Sequence, residues 1–235
     1  MSSKGKIIVI EGTDCSGKET QTRLLVQKLE ENNIKVKRLS FPMYDSPTGK
    51  IIGACLLGKP DMCKELLKTD HSFFEEGGGN VDPLAALALY AADRRYNLPI
   101  INKLLNQGYV LILDRYVASN MAHRGGQIES KEERLKMYKK IELLEYDINE
   151  LPKPDKTVLL YLPYEYACIL KKDRQEDADE AESNIKYLKR GEKAYLELAK
   201  LYNYDIINCV KNNTIRTVDD INDELYKIIT NDLSK

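Results

Sequence analysis

Gly12-Thr13-Asp14-Cys15-Ser16-Gly17-Lys18 stands where an apolar, β-branched run, Lys6-Ile7-Ile8-Val9-Ile10, gives way to residues with helical spacing at Leu24, Leu25 and Leu29. The run suits a strand buried on both faces, and the spacing predicts a helix over about 21–33. A tight loop between them turns successive backbone N–H groups toward one point, and the helix N-terminus adds partial positive charge. Two glycines, Gly12 and Gly17, followed directly by Lys18, complete a P-loop pattern in its expected context. The loop from Gly12 to Lys18 therefore reads as a phosphate cradle, with Lys18 reaching the β- and γ-phosphates. A plain strand-to-helix turn would need neither the glycine spacing nor the lysine.

Glu19 occupies the position where a serine or threonine hydroxyl touches Mg²⁺ in the general motif, and Thr20 follows it. A carboxylate beside a polyphosphate is repelled unless it points outward or helps hold the ion. The expectation is that Glu19 points outward and Thr20 is free to bond a phosphate.

Outward from the loop, strand-like and helix-like segments alternate, which argues for an α/β domain with a parallel sheet. Strands are predicted over 36–41, 109–114, 157–162 and 204–209. Helices are predicted over 50–57, 131–151, 164–171 and 218–233. Asp82-Pro83 resembles an N-cap followed by proline in the first turn, opening one long helix to about Asn106, with Pro99 able to kink it. The stretch 58–81, with Gly77-Gly78-Gly79, reads as a loop. It is either an inert insertion or an element that alters an interface or a ligand pocket.

The 235 residues suffice for one sizeable domain, here taken as 1–235. With 36 basic against 37 acidic residues, the formal charge of -1 gives no reason to expect nucleic-acid binding. No apolar span is long enough for a membrane helix, and Met1 to Gly5 leads into the first strand without a signal-peptide pattern, so a cytoplasmic location is expected. Cys15, Cys55, Cys63, Cys168 and Cys209 are scattered and lack zinc-site spacing. They read as small buried hydrophobes, except that the loop amides around Cys15 could favour its thiolate.

A P-loop serves GTPases, ATPases and kinases alike, so the discriminating residues lie further on. Asp114-Arg115-Tyr116 ends a buried strand, where parallel sheets place their ligand crevice. Its aspartate can hold the hydration shell of Mg²⁺, and its arginine offers two donors to a phosphate. Tyr90 and Arg94 are four apart on a helix and share a face suited to stacking and bonding a base. Taken alone, they read equally as a packed tyrosine and a surface charge. The charge-dense segment 171–186 is either a solvated surface stretch or a lid that closes over phosphates.

The combination closely resembles the thymidylate kinase family from about residue 6 to residue 205. The resemblance rests on Glu11-Gly12-Thr13-Asp14, Gly17-Lys18-Glu19-Thr20-Gln21, Phe41-Pro42, Leu89-Tyr90-Ala91-Ala92-Asp93-Arg94, Asp114 to Asn120, Leu151-Pro152-Lys153-Pro154-Asp155 and Tyr195-Leu196-Glu197-Leu198-Ala199. It implies a P-loop nucleoside-monophosphate-kinase-like three-layer sandwich with a five-stranded parallel sheet surrounded by helices. It also implies phosphoryl transfer from ATP to dTMP with Mg²⁺, and a homodimer. Lys18 and the P-loop, extended to Glu19 and Thr20, would hold the donor. Asp14 and Arg115 would position the acceptor phosphate. Tyr90 would stack on thymine, Arg94 would bond a base carbonyl, and Phe41, Tyr44, Asn120 and His123 would complete the acceptor site. His123 stands where some members carry tyrosine. The position of Cys15 lacks the arginine that some members carry there, so the resemblance implies the type with a basic lid residue. Arg174 is the candidate, with Lys171 and Lys172 behind it, and Asp179 and Glu182 match acidic lid positions. Asp14, Asp114 and Glu182 are the metal candidates. Two other readings remain open: a deoxynucleoside kinase, which needs a carboxylate base by the acceptor, and a nucleotide-binding switch without transferase activity.

Overall fold

The computed structural model describes residues 4–63, 81–172 and 185–234. Strands β1 (Ile7–Gly12), β2 (Val36–Ser40), β3 (Val110–Asp114), β4 (Lys156–Tyr161) and β5 (Asp205–Asn208) form one sheet in the order β2-β3-β1-β4-β5. All of its pairings are parallel. The helices are α1 (Lys18–Glu31), α2 (Pro47–Leu56), α3 (Pro83–Tyr96), α4 (Leu98–Asn106), α5 (Val117–Asn120), α6 (Lys131–Glu142), α7 (Tyr164–Lys172), α8 (Ile185–Leu201) and α9 (Val218–Leu233).

Every residue of β1 is buried, because the strand has a neighbour on each side and helices over both faces; this is why its sequence is a nearly continuous apolar run. Alternate strand residues feed two cores. Ile7, Val9, Leu111, Leu113 and Leu159 pack with Leu87, Ile101, Ile141 and Leu198 from α3, α4, α6 and α8. Ile8, Ile10, Ile112, Val158 and Leu160 pack with Leu25 and Leu29 of α1 and Ile221, Leu225 and Ile229 of α9. The result is the three-layer α/β sandwich that the resemblance implies.

Two predicted helices change in detail. The long helix predicted from Pro83 to Asn106 is two helices. Asn97 caps the end of α3 and the start of α4, and Pro99, in the first turn of α4, lacks the N–H that continuation would require. The Asp82 side chain does accept bonds from the amides of Leu84 and Ala85 at 3.0 Å each. The helix predicted over 131–151 ends as α6 at Glu142 and widens into a π-helical turn, Leu143–Ile148. The strand β5 is followed by a short antiparallel hairpin, β6 (Val210–Lys211) and β7 (Thr214–Ile215), whose turn residues Asn212 and Asn213 both have positive φ, as its Asn-Asn pair permits. Within 58–81, Pro60–Cys63 forms a 3₁₀ turn.

Candidate active site

The carboxyl ends of β1, β3 and β4 meet at one rim of the sheet, where parallel sheets hold ligands. The P-loop is fixed there by contacts that explain its sequence. A Cβ at Gly12 would lie 2.4 Å from Ser16 Oγ and 2.9 Å from the Leu160 carbonyl oxygen, so only glycine fits. Gly17 precedes α1 with φ of 76°, a left-handed conformation natural to glycine. Thr13 Oγ1 donates to the Leu162 carbonyl at 2.7 Å and accepts from the Leu162 amide at 2.9 Å, tying the loop to the chain after β4. No side chain caps α1, so its first-turn amides keep their capacity for an anion.

Lys18 is buried, and its Nζ donates to the carbonyls of Gly12 and Thr13 at 2.9 Å each. Burial lowers its pKa from 10.5 to about 8, aided by the charge of Arg115 and opposed by Asp14, Asp114 and Glu11. Glu19 is exposed and Thr20 is half-buried.

Beside the P-loop lies a cavity of about 160 Å³. It brings together Asp14, Phe41, Tyr44, Tyr90, Arg94, Arg115, Asn120 and His123, all the residues the sequence suggested for the acceptor. Arg94 is no surface charge, as the residue taken alone suggests: it is buried, and its Nε donates to Glu145 Oε2 at 3.0 Å while its Nη2 donates to Glu145 Oε1. Burial works against the charge of Arg94, but Glu145 outweighs it and keeps the guanidinium protonated. Tyr90 packs under the Arg124 guanidinium, 5.7 Å from the ring centre.

Arg115 has φ of 66°, which turns its side chain back from the end of β3 toward the loop. Its Nη2 lies 3.6 Å from Asp14 Oδ1, and its Nη1 lies 3.3 Å from His123 Nε2 and 3.5 Å from the Tyr195 hydroxyl. Burial pushes the His123 pKa down to about 3, the neighbouring Arg115 and Arg124 add to this, and Asp14 opposes it; the ring is therefore neutral at physiological pH and can accept from Arg115.

Several residues that hold this arrangement have no role in the sequence reading. Glu11, fully buried, accepts from the Tyr116 amide at 2.8 Å and the Ser119 hydroxyl at 2.7 Å, joining the end of β1 to α5. Asp93 accepts from the Met43 amide at 2.9 Å and the Thr48 hydroxyl at 2.6 Å, fixing the segment that carries Phe41 and Tyr44. Glu145 was discoverable: Arg134, Tyr138, Ile141 and Glu145 are the buried stripe of the helix, one step from the Leu135, Tyr138, Ile141 and Leu144 stripe that apolarity suggests.

For the ion, Asp114 Oδ2 accepts from Arg38 Nη2 at 2.5 Å and from the Thr22 hydroxyl at 3.5 Å, while its other oxygen takes no bond among the described residues. The described residues contain no cluster of three or more His, Cys, Asp or Glu side chains able to enclose a metal. Two carboxylates, Asp14 and Asp114, near Lys18 suit a magnesium ion that keeps several waters and shares phosphate oxygens. Arg174, Asp179 and Glu182 lie outside the described residues.

Fold and site together define a P-loop α/β protein of the nucleoside monophosphate kinase type. The family model described as "Thymidylate kinase" matches residues 10–221. The thymidylate kinase of Plasmodium falciparum is 28% identical over 227 residues, covering 97% of this chain and 90% of the relative. A probable thymidylate kinase of Saccharolobus solfataricus is 30% identical over 231 residues, covering 97% and 98%. The solved thymidylate kinase of Candida albicans superposes with a TM-score of 0.71 at 28% identity, covering 98% of this chain and 93% of that one. The chain belongs to the thymidylate kinase family.

Proposed function

We infer that the protein transfers the γ-phosphoryl group of ATP to dTMP, giving dTDP and ADP on the way to dTTP. The observation that carries this reading is the convergence of the acceptor-site residues, from Asp14 to His123, on one cavity beside the P-loop. The acceptor phosphate is already a competent nucleophile, so alignment and charge neutralisation suffice and no strong general base is needed.

In this reading the P-loop amides and Lys18 hold the donor phosphates. A phosphate oxygen gives Lys18 a charge-assisted acceptor stronger than the loop carbonyls it bonds in the structure. Arg115, oriented by Asp14, His123 and Tyr195, positions the acceptor phosphate. Tyr90 supplies the face on which thymine stacks, and Arg94 bonds a carbonyl of the base. Asp14 and Asp114 would hold Mg²⁺ through its waters, and the bound ion would spread the charge of the donor phosphates. Arg174 would steady the transferring group from the lid. Arg174→Ala should therefore lower kcat by about a thousandfold or more with little change in dTMP affinity; steady-state kinetics beside dTMP titrations check this. Within the same reading the enzyme is a cytoplasmic homodimer. No helix among the described residues is long and apolar enough to cross a membrane.

The test is ADP release with ATP and Mg²⁺, using dTMP, dUMP or thymidine as acceptor, beside a Lys18→Ala control. Release with dTMP that disappears in the control supports the reading. Release with thymidine alone would move it to a deoxynucleoside kinase, and nucleotide binding without release to a switch.

A further inference from the structure

Glu145 is fully buried, does not line the acceptor cavity, and nevertheless touches two residues that do. It takes Nε and Nη2 of Arg94, and its Oε1 also accepts from Asn120 Nδ2 at 3.0 Å. The second Asn120 amide hydrogen has the Leu87 carbonyl at 3.4 Å. A carboxylate and a carbonyl accept and cannot donate, so this pairing fixes which way the Asn120 amide faces: nitrogen toward Glu145, oxygen away from it. The same carboxylate occupies one edge of the Arg94 guanidinium and leaves Nη1, which has no acceptor among the described residues, for the cavity that Arg94 lines.

We propose that Glu145 is a positioning residue for base selection: through Arg94 and Asn120 it presents the cavity with a donor beside an acceptor, the complement of a lactam edge, a ring carbonyl next to a ring N–H. Thymine and uracil carry that edge. Cytosine carries an amino group and a bare ring nitrogen in the same places, so both of its groups would meet their own kind, desolvated. In Glu145→Gln the new amide can donate to Asn120, which allows the Asn120 amide to turn over and removes the charge that holds Arg94. Glu145→Asp keeps acceptors only.

This inference rests on reading the cavity as the acceptor site. Its test is titration calorimetry with dUMP and dCMP, which differ only along that edge, on the wild type and both variants, each checked for a cooperative melt. The wild type should bind dUMP about a hundredfold more tightly than dCMP, and Glu145→Gln should reduce that ratio at least tenfold, on the scale of hydrogen bonds to charged groups. Glu145→Asp should retain most of the preference even if it melts lower, which a merely structural role would not produce. A Glu145→Gln ratio within twofold of wild type overturns the proposal. So does a wild type without the preference, and, should only Glu145→Asp fold, a lost preference in that variant. ADP release is read separately. A protein that selects dUMP over dCMP but transfers no phosphoryl group keeps this inference and loses the transferase reading, and an active transferase whose Glu145→Gln form keeps the selection does the reverse.

Discussion

Lys18 carries a charge that depends on what it touches. With its pKa near 8, it is partly neutral just above physiological pH in the free protein, and bound phosphates should restore its proton. ADP binding at about pH 8.5 is therefore expected to take up protons, an uptake that fades below about pH 7, where Lys18 is already protonated, and is lost in Lys18→Ala. Calorimetry in buffers of different ionisation enthalpy measures it. By the same sign, kcat/KM for ATP should fall as pH rises through about 8. The residues that line the cavity beside the P-loop were legible in the sequence because phosphates and bases demand particular side chains at particular spacings. Glu11 and Asp93 were not, because a buried carboxylate is identified by its partners; Glu145 shares the helical spacing of Tyr138 and Ile141, which marks its burial but not its partners. The partners of Glu145, Arg94 and Asn120, stand 51 and 25 positions away.

Helix α6 packs against α5 and is pinned to α8 by Arg134 and Glu197. Their two bonds, 2.6 Å at Nε and 3.0 Å at Nη2, are joined by a Tyr138 hydroxyl contact of 3.3 Å. The hydrogen bonds from Arg134 hold the Glu197 pKa below the ordinary carboxylate value of 4.5. A depressed carboxylate contributes stability above its unfolded pKa and loses it as pH falls through the folded one. Glu197→Gln should therefore lower Tm at pH 7, by the equivalent of about 1–3 kcal/mol, and the difference from wild type should shrink as pH falls below the ordinary carboxylate value of 4.5; melting curves across pH check both. Most elements were readable from periodicity, including α9, which the structure shows capped by Thr217. Where the reading erred, at Asn97 and at the π-helical turn after Glu142, the apolar pattern ran on through a break, because periodicity reports which face is buried and not how many residues make each turn.

At the scale of the whole molecule, Ala88, Ala92 and Tyr96 on α3 line a shallow surface groove with Leu144, and Tyr96, Leu143 and Ile148 are exposed. A face of small side chains on a helix lets a second helix approach closely, which fits the homodimer proposed above. Ala92→Arg should convert a species of twice the chain mass into a monomer with a preserved far-UV spectrum; light scattering coupled to size exclusion decides it. The parallel sheet and its layers were legible because a central, doubly covered strand must be apolar throughout; the strand order was not. Assembly was not, since an exposed apolar residue has the same sequence signature whether it faces water or a partner. The P-loop, finally, is moulded by the protein itself: Gly12 is pressed against Ser16 and Leu160, and Thr13 is clasped to Leu162 by a reciprocal pair of bonds. A mould set before its casting arrives spends little of the ligand's grip on imposing order. Damage around Tyr90 and Arg94, across the cavity from the loop, should then leave ADP held as firmly as before, so that the two proposed substrates meet as tenants of separately built rooms.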